Sequence, residues 1–366
     1  MRRKRRRSRS WCTACSRSSR LRHATRPTTR KSADVAKLRV GTRGSALALA
    51  QSGQTVARLE AAGVPAELVV IKTSGDKLAN VSLAKVGGKG LFIKELEEAL
   101  VANEIDLAIH SMKDVPAELP PGFALVAVTA RADVRDVLVR RWSDGAAGGE
   151  GGASYDGGGG SVLSRLPALA ALPRGARVGT GSLRRRAQIA ALRDDLDVRQ
   201  MRGNVDTRLR KLEEGEYDAI VLAAAGLARL GITPNAAPLA AEAFLPAPGQ
   251  GALAIEARAD DTVVRELLQV LDDAASRAAC AAERAFLREL GASCQVPVAA
   301  HACLTADGRL LLDGLVASLD GRRVLRDAAT GDPQHAVELG RTLADRLTAR
   351  GARDILRAAE EQAGAI

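Results

Sequence analysis

Residues 176–192 read Ala-Arg-Val-Gly-Thr-Gly-Ser-Leu-Arg-Arg-Arg-Ala-Gln-Ile-Ala-Ala-Leu. A β-like run ends in a turn of small residues, Gly179-Thr180-Gly181, and a helix follows for which Ser182 is a natural N-cap. The same order stands at residues 38–48, Leu-Arg-Val-Gly-Thr-Arg-Gly-Ser-Ala-Leu-Ala, so Arg39-Val40-Gly41-Thr42 is echoed by Arg177-Val178-Gly179-Thr180. A strand that exits through a small-residue turn into a helix is the unit of an α/β layer. Two copies far apart in the chain predict two related α/β domains facing each other.

Working outward from the first copy, Leu38–Val40 and Glu67–Lys72 read as strands around a helix from Ser45 to Ala61, which Gly63 ends. A second helix over Leu91–Ala102 places Ile93, Leu96 and Leu100 on one apolar face. Asp106–Ile109 and Phe123–Val128 read as buried strands. Trp142–Gly160 is dominated by Gly, Ala, Ser and Asp and is expected to be a surface insertion without chemistry; the alternation restarts at Ala176. Beyond a long helix over Ala274–Leu290 the pattern changes. Three runs, Pro297–Leu304, Arg309–Ser318 and Arg322–Asp327, are joined by Asp307-Gly308 and Asp320-Gly321, which are hairpin turn pairs. Two helices broken at Gly351 follow, so the last part is a small α+β domain with a three-stranded antiparallel sheet.

The charge balance is uneven. The chain of 366 residues carries a formal +11, but residues 1–33 hold 13 Lys or Arg and no acid; of 54 basic residues 41 then remain against 43 acidic, a body of net −2. The body therefore has no field for a polyanion, and with aromatics at 2% it has few platforms for stacking bases. The N-terminal arm, residues 1–37, lacks the apolar core of a secretory signal and is too polar to fold. Its Arg, Ser and Thr content partly resembles an organellar transit peptide; an over-extended start or a disordered basic arm is the alternative. Cys12 and Cys15 form a lone C-x-x-C with no second pair, so no metal site is expected there. No apolar run approaches the ~20 residues that span a bilayer.

Three cations in the first turn of a helix, Arg184, Arg185 and Arg186, oppose the helix dipole, at a cost of roughly 0.3–1 kcal/mol each at the surface. An anionic ligand would offset that, because helix N-termini and Arg forks both bind carboxylate or phosphate; solvated surface arginines are the plainer alternative. Successive helical residues point about 100° apart, so two of the three can face one pocket. The same grammar stands at Thr42-Arg43-Gly44-Ser45 and at Met201-Arg202-Gly203-Asn204, with Arg208 one turn into the next helix. Strand ends of open α/β sheets are where ligands bind. Lys85 and Lys89 lie in the glycine-rich run 84–90, which could close over an anion. Together these residues describe a cleft for a ligand with several negative groups.

Asp114 follows a buried strand in His110-Ser111-Met112-Lys113-Asp114-Val115-Pro116, beside Lys113. Taken alone it is a turn residue before Pro; among cations it stays ionised and could stabilise a developing positive charge or relay a proton. Cys294, in Gly291-Ala292-Ser293-Cys294-Gln295-Val296-Pro297, occupies a loop of small residues that is accessible enough for a covalent adduct. Cys280, in an Ala-rich helix, and Cys303, in a strand, suit an inert role.

These stretches resemble the porphobilinogen deaminase family. The resemblance rests on residues 84–98, His110–Pro116, Gly179-Thr180 with Ser182–Arg185, Arg202–Asn204 with Thr207–Leu209, Pro246 with Gly249–Gly251, and Cys294–Pro297, in order from about Leu38 to Ala359. It implies a transferase that joins four porphobilinogens head to tail with loss of ammonia and releases hydroxymethylbilane for tetrapyrrole synthesis. It implies a dipyrromethane cofactor held by a thioether to Cys294, with Asp114 as the catalytic carboxylate stabilising cationic azafulvene and pyrrole nitrogens. Arg43, Arg184, Arg185, Arg202, Arg208 and Arg229 would hold acetate and propionate groups, Lys85, Lys89 and Lys113 would flank the cleft, and Ser45 and Ser182 would add polar contacts.

The implied fold is two doubly wound domains like type II periplasmic binding proteins, residues 38–130 with 250–269 and residues 131–249 with an insertion at about 145–160, plus an α+β domain over 270–366 carrying the cofactor cysteine. A cytoplasmic monomer is expected, or an organellar stroma or matrix protein if residues 1–37 are a transit peptide. Ala292-Ser293 replaces the family's frequent Gly-Gly, and Gly181 stands where Ser or Thr is common. Rival readings are a non-catalytic receptor for a small polycarboxylate, which would leave Cys294 idle, and a nucleic-acid or membrane-surface protein driven by the arm.

Overall fold

The computed structural model of the chain describes residues 37–72, 93–141, 160–292 and 296–364. Residues 1–36, the loop with Lys85 and Lys89, most of the glycine-rich stretch (142–159) and Cys294 lie outside the described residues.

The first sheet is built from β1 (Leu38–Arg43), β2 (Ala66–Ile71), β3 (Leu107–Ser111), β4 (Phe123–Val128) and β10 (Leu253–Arg258), in the order β2-β1-β3-β10-β4. β1 runs parallel to β2 and β3, whereas β10 is antiparallel to β3 and β4. The second sheet repeats the plan with β5 (Asp136–Arg140), β6 (Arg177–Thr180), β7 (Asp197–Gln200), β8 (Ala219–Ala223) and β9 (Ala236–Pro238), in the order β7-β6-β8-β5-β9. Here β6 is parallel to β7 and β8, and β5 is the antiparallel member. The echo between Arg39–Thr42 and Arg177–Thr180 is thus the echo of β1 and β6, each second in its sheet's strand order and each leading directly into a helix. Both sheets are mixed and five-stranded, built to one plan, each with an antiparallel fourth strand.

The antiparallel strands are exchanged. β5 follows β4 of the first sheet and β10 follows β9 of the second, so the chain crosses between the sheets near residues 129–135 and again near 246–252. The crossings are tied to each other: Ala132 N donates to Gly251 O at 3.1 Å and Arg131 Nε to Gln250 O at 2.8 Å. Central strands are covered on both faces and therefore read as unbroken apolar runs; Val137, Leu138 and Val139 of β5 are all buried.

The helices that matter to the site are α1 (Ala46–Ala61), α2 (Lys94–Val101), α3 (Leu183–Leu192), α4 (Val205–Glu213) and α5 (Ala224–Leu230). Ile93, Leu96 and Leu100 are buried as their spacing predicts. The third sheet is antiparallel, β11 (Val298–Leu304), β12 (Leu310–Ala317) and β13 (Val324–Gly331), with Gly308 and Gly321 at φ 79° and 71° in the two turns. β13 runs to Gly331 rather than stopping at Asp327. Its outer half adds only Ala329 to the apolar core, but its backbone pairs with β12 along the whole length, Leu310 with Gly331 to Ala317 with Val324. Helices α6 (Ala274–Glu289) and α7 (Ala336–Thr348) pack on this sheet over Phe286, Leu312 and Leu343. Among the described residues no helix is long and apolar enough to cross a membrane.

Candidate active site

On the second sheet, β6 ends at Thr180 and Ser182 caps α3, its hydroxyl accepting from Arg185 N at 3.5 Å. Gly181 has a local cause: a Cβ there would stand 2.6 Å from the Met201 carbonyl oxygen, so this turn has no room for a side chain. Arg184 and Arg185 turn inward and are 4% and 5% exposed, while Arg186 stays half-buried, the split that helical spacing predicts.

Both inward guanidiniums meet Asp136, the first residue of β5 and wholly buried. Arg185 Nη2 lies 2.7 Å from Oδ1 and Arg184 Nη1 2.8 Å from Oδ2, and Gln250 Nε2 donates to Oδ1 at 2.8 Å. Burial works to raise the Asp136 pKa, but the two guanidiniums outweigh it and hold the carboxyl well below the usual range. Arg184 Nη1 also donates to Leu245 O at 2.6 Å and Arg185 Nη1 to Val221 O at 2.9 Å. The Nε atoms of both are buried without a hydrogen-bond partner.

Other predicted cations gather nearby. Arg208 Nε donates to Gly203 O at 2.8 Å. Burial, and then the charge of Arg185, push the Arg208 pKa down to about 10, which places these two cations in one field. Arg229 Nη2 donates to Gly251 O at 2.6 Å, tying α5 to the second crossing, and burial lowers its pKa. Arg202 is half-buried just beyond β7.

On the first sheet, Arg43 ends β1 half-buried, and Ser45 caps α1 by accepting from Ala48 N at 3.3 Å. Gln51 of α1 is buried and donates to Ser111 Oγ at 2.9 Å, pinning the helix to the end of β3. One 3-10 turn, Met112–Asp114, follows that strand. Asp114 is exposed and Lys113 half-buried. Burial of the ammonium end pushes the Lys113 pKa down to about 8, with Asp114 pulling it up and Arg185, Asp136 and Arg184 also acting on it. Its Nζ lies 3.4 Å from Gln250 Oε1. The second crossing rests directly on this turn: a Cβ on Gly249, at φ 76°, would come within 2.5 Å of Met112 Cγ.

The structure therefore brings Lys113, Arg184, Arg185 and Arg208 into one electrostatic neighbourhood beside Asp114. Arg43, Ser45 and Arg202 stand at or just beyond strand ends of the same two sheets. Lys85, Lys89 and Cys294 lie outside the described residues. Cys280 is buried, and burial followed by Glu283 pushes its thiol up to about 12, which leaves it unreactive. Asp136 and Gln51 belong to the site although no motif singles them out, and Gln250, inside the Gly249–Gly251 stretch, had no role of its own there; the Arg135-Asp136 pair, at the start of an apolar run, was the available signal for Asp136.

A family model described as "Porphobilinogen deaminase, dipyromethane cofactor binding domain" matches residues 38–266, and one described as "Porphobilinogen deaminase, C-terminal domain" matches residues 277–349. The chain is 49% identical over 322 residues to the porphobilinogen deaminase of Syntrophobacter fumaroxidans, covering 87% of this chain and 96% of that protein. It is 48% identical over 323 residues to that of Trichlorobacter lovleyi, with 87% and 96% covered. Among solved structures, the periplasmic aliphatic sulphonate binding protein SsuA of Escherichia coli matches with a TM-score of 0.34 at 14% identity, over 69% of this chain and 74% of that one. Apo YehZ of Escherichia coli matches with a TM-score of 0.36 at 12% identity, over 87% and 99%.

Proposed function

The chain belongs to the porphobilinogen deaminase family, and from that premise we propose how its own residues serve the joining of four porphobilinogens into hydroxymethylbilane. The observation that carries the reading is the pair of buried, unspent Nε–H donors on Arg184 and Arg185, set among further cations at the strand-end edge beside the exposed carboxylate of Asp114. Planar guanidinium donors match carboxylates, and porphobilinogen carries an acetate and a propionate. The same donors fit the carboxylated side chains of a dipyrromethane, so the residues present suit that cofactor.

Bound through a thioether to Cys294, the dipyrromethane supplies the pyrrole carbon to which the first substrate is joined. Arg184 and Arg185 hold carboxylates of cofactor and chain; Arg43, Arg202, Arg208 and Arg229 hold those of later units, with Ser45, Ser182 and Lys113 adding polar contacts and Lys85 and Lys89 adding positive charge. Asp114 stabilises positive charge as ammonia leaves. The three sheets support division into units at 38–130 with 250–269, 131–249 and 270–366. A monomer acting in the cytoplasm, without nucleic acid, accords with a near-neutral body; a transit role for residues 1–37 would place it in an organelle instead.

Intact mass tests the attachment. The purified protein should exceed its sequence mass by one dipyrromethane, Cys294→Ser should lack the adduct and turn over little substrate, and Cys280→Ser and Cys303→Ser should keep it. A full adduct and full activity in Cys294→Ser would overturn the assignment.

A further inference from the structure

Asp136 is a buried anion in a place built to receive anions. It sits at the head of β5 and is held at 2.7–2.8 Å by Arg184, Arg185 and Gln250. On the reading above, that Arg184 and Arg185 hold ligand carboxylates, we propose that Asp136 is a positioning residue that shares these guanidiniums with the ligand, so that the pair grips one carboxylate at a time and releases it as the chain grows.

The donor count supports this. A guanidinium has five N–H donors. Arg184 spends Nη1 on Leu245 O and stands as an ion pair 2.8 Å from Asp136 Oδ2, an oxygen left without a hydrogen-bond partner, and Arg185 spends Nη1 on Val221 O and Nη2 on Asp136 Oδ1. Both Nε–H groups stay buried and unspent. Charge supports it as well. Asp136 offsets one of the two buried guanidinium charges in a desolvated place, so the pair presents less net positive charge to a ligand carboxylate than it would alone. Without Asp136 the pair would hold its carboxylate more tightly in the ground state, which does not speed the chemical step.

The anchoring of Asp136 adds a third argument. Gln250 donates to Asp136 Oδ1 and to Val134 O, both at 2.8 Å, and its Oε1 faces Lys113 Nζ at 3.4 Å. Gln250 lies on the second crossing and Asp136 ends the first. The counter-ion is therefore fixed to the joint between the sheets, while the arginines ride on α3. A shift of one relative to the other changes how much of the guanidinium pair is free for ligand.

The test compares purified holoenzyme of the wild type, Asp136→Asn, Asp136→Glu and Arg185→Lys by adduct mass, melting temperature, kcat, KM and the mass ladder after mixing with porphobilinogen. Asp136→Asn keeps the shape and frees donors, so KM should fall about tenfold, the worth of a charge-assisted hydrogen bond. Its kcat should fall further, and species with fewer than four added pyrroles should accumulate. Asp136→Glu keeps the anion, so its kcat should fall with no drop in KM. A folded Asp136→Asn with wild-type KM and ladder overturns the proposal, as does an equal fall in KM in Asp136→Glu. Should Asp136→Asn fail to fold, Asp136→Glu decides, and wild-type kcat in that variant overturns it. An adduct and ladder unchanged in Arg185→Lys would sink the premise instead; a shortened ladder there with an unaltered Asp136→Asn sinks only the role of Asp136.

Discussion

Lys113 holds its charge against its surroundings. Burial pushes its pKa from 10.5 to about 8, so its ammonium is present at neutral pH and is lost just above it. The charged form is the one that attracts carboxylates, so KM for porphobilinogen should rise as pH climbs through about 8. Lys113→Arg, which cannot be deprotonated there, should flatten that limb; an equally steep rise in the Arg variant would assign it to another group. The linkage sign is consistent: the unfolded chain binds this proton more tightly, so stability should increase with pH between about 8 and 10.5. Asp114 allows a second separation. If its charge acts as ammonia leaves, Asp114→Asn should cut kcat severely and KM little, and Asp114→Glu should lie between, because errors near ~1 Å can cost ~100-fold. Single-turnover mixing read by mass measures this, and wild-type rates in Asp114→Asn would reduce Asp114 to a turn residue. The cap Ser182 and the inward-outward split of Arg184–Arg186 were legible because each follows from local helical geometry. Asp136 was not, because its ion pair with Arg185 joins positions 49 apart in sequence, and no local period reports such a partner.

Elements carried most of the readable signal. The α2 face was visible in its spacing, whereas the end of β13 was not, since Ala328–Gly331 offers only small side chains and its pairing with β12 is a backbone matter. Leu253–Arg258 gives no face either: all but its last residue is buried, and only the family resemblance suggested where it goes. That strand places Glu256, bonded to His110 Nε2 at 2.8 Å, under α2. Burial, with a contribution from Glu256, raises the pKa of Glu97 on α2 from 4.5 to about 7. The folded protein therefore keeps this proton after the unfolded chain has lost it, and stability falls as pH rises from about 4.5 through 7. The shift would be worth about 3 kcal/mol if taken whole, but Glu97 is partly solvated, and about 1 kcal/mol is the reasonable expectation. Glu97→Gln should raise the melting temperature at pH 8, and the gain should shrink toward pH 5. A gain that does not change with pH would mean that the side chain acts through packing.

At the scale of the whole molecule, three sheets meet at one carboxylate. Glu283 of α6 is fully buried, and its two oxygens accept from Arg131 Nη1 at 2.7 Å, Arg131 Nη2 at 3.1 Å, Gly249 N at 2.6 Å and Ala302 N at 2.7 Å. Arg131 lies on the first crossing, Gly249 on the second, and Ala302 in the third sheet, so one side chain fastens both links between the α/β units to the unit whose helix α6 leads toward Cys294. In the sequence it is only a Glu in an Ala-rich helix. Removing one partner of such a pair strands the other charge, at a cost of about 3–5 kcal/mol, while replacing both by apolar groups can cost little. Glu283→Gln should therefore lower the melting temperature sharply and speed amide exchange at Gly249 and Ala302 beyond that of the sheet interiors. Glu283→Gln with Arg131→Met should recover a large part of the loss, the non-additivity expected of groups in contact. If the two substitutions simply add, the pair is not coupled, and apolar packing of α6 alone holds the third sheet against the crossings.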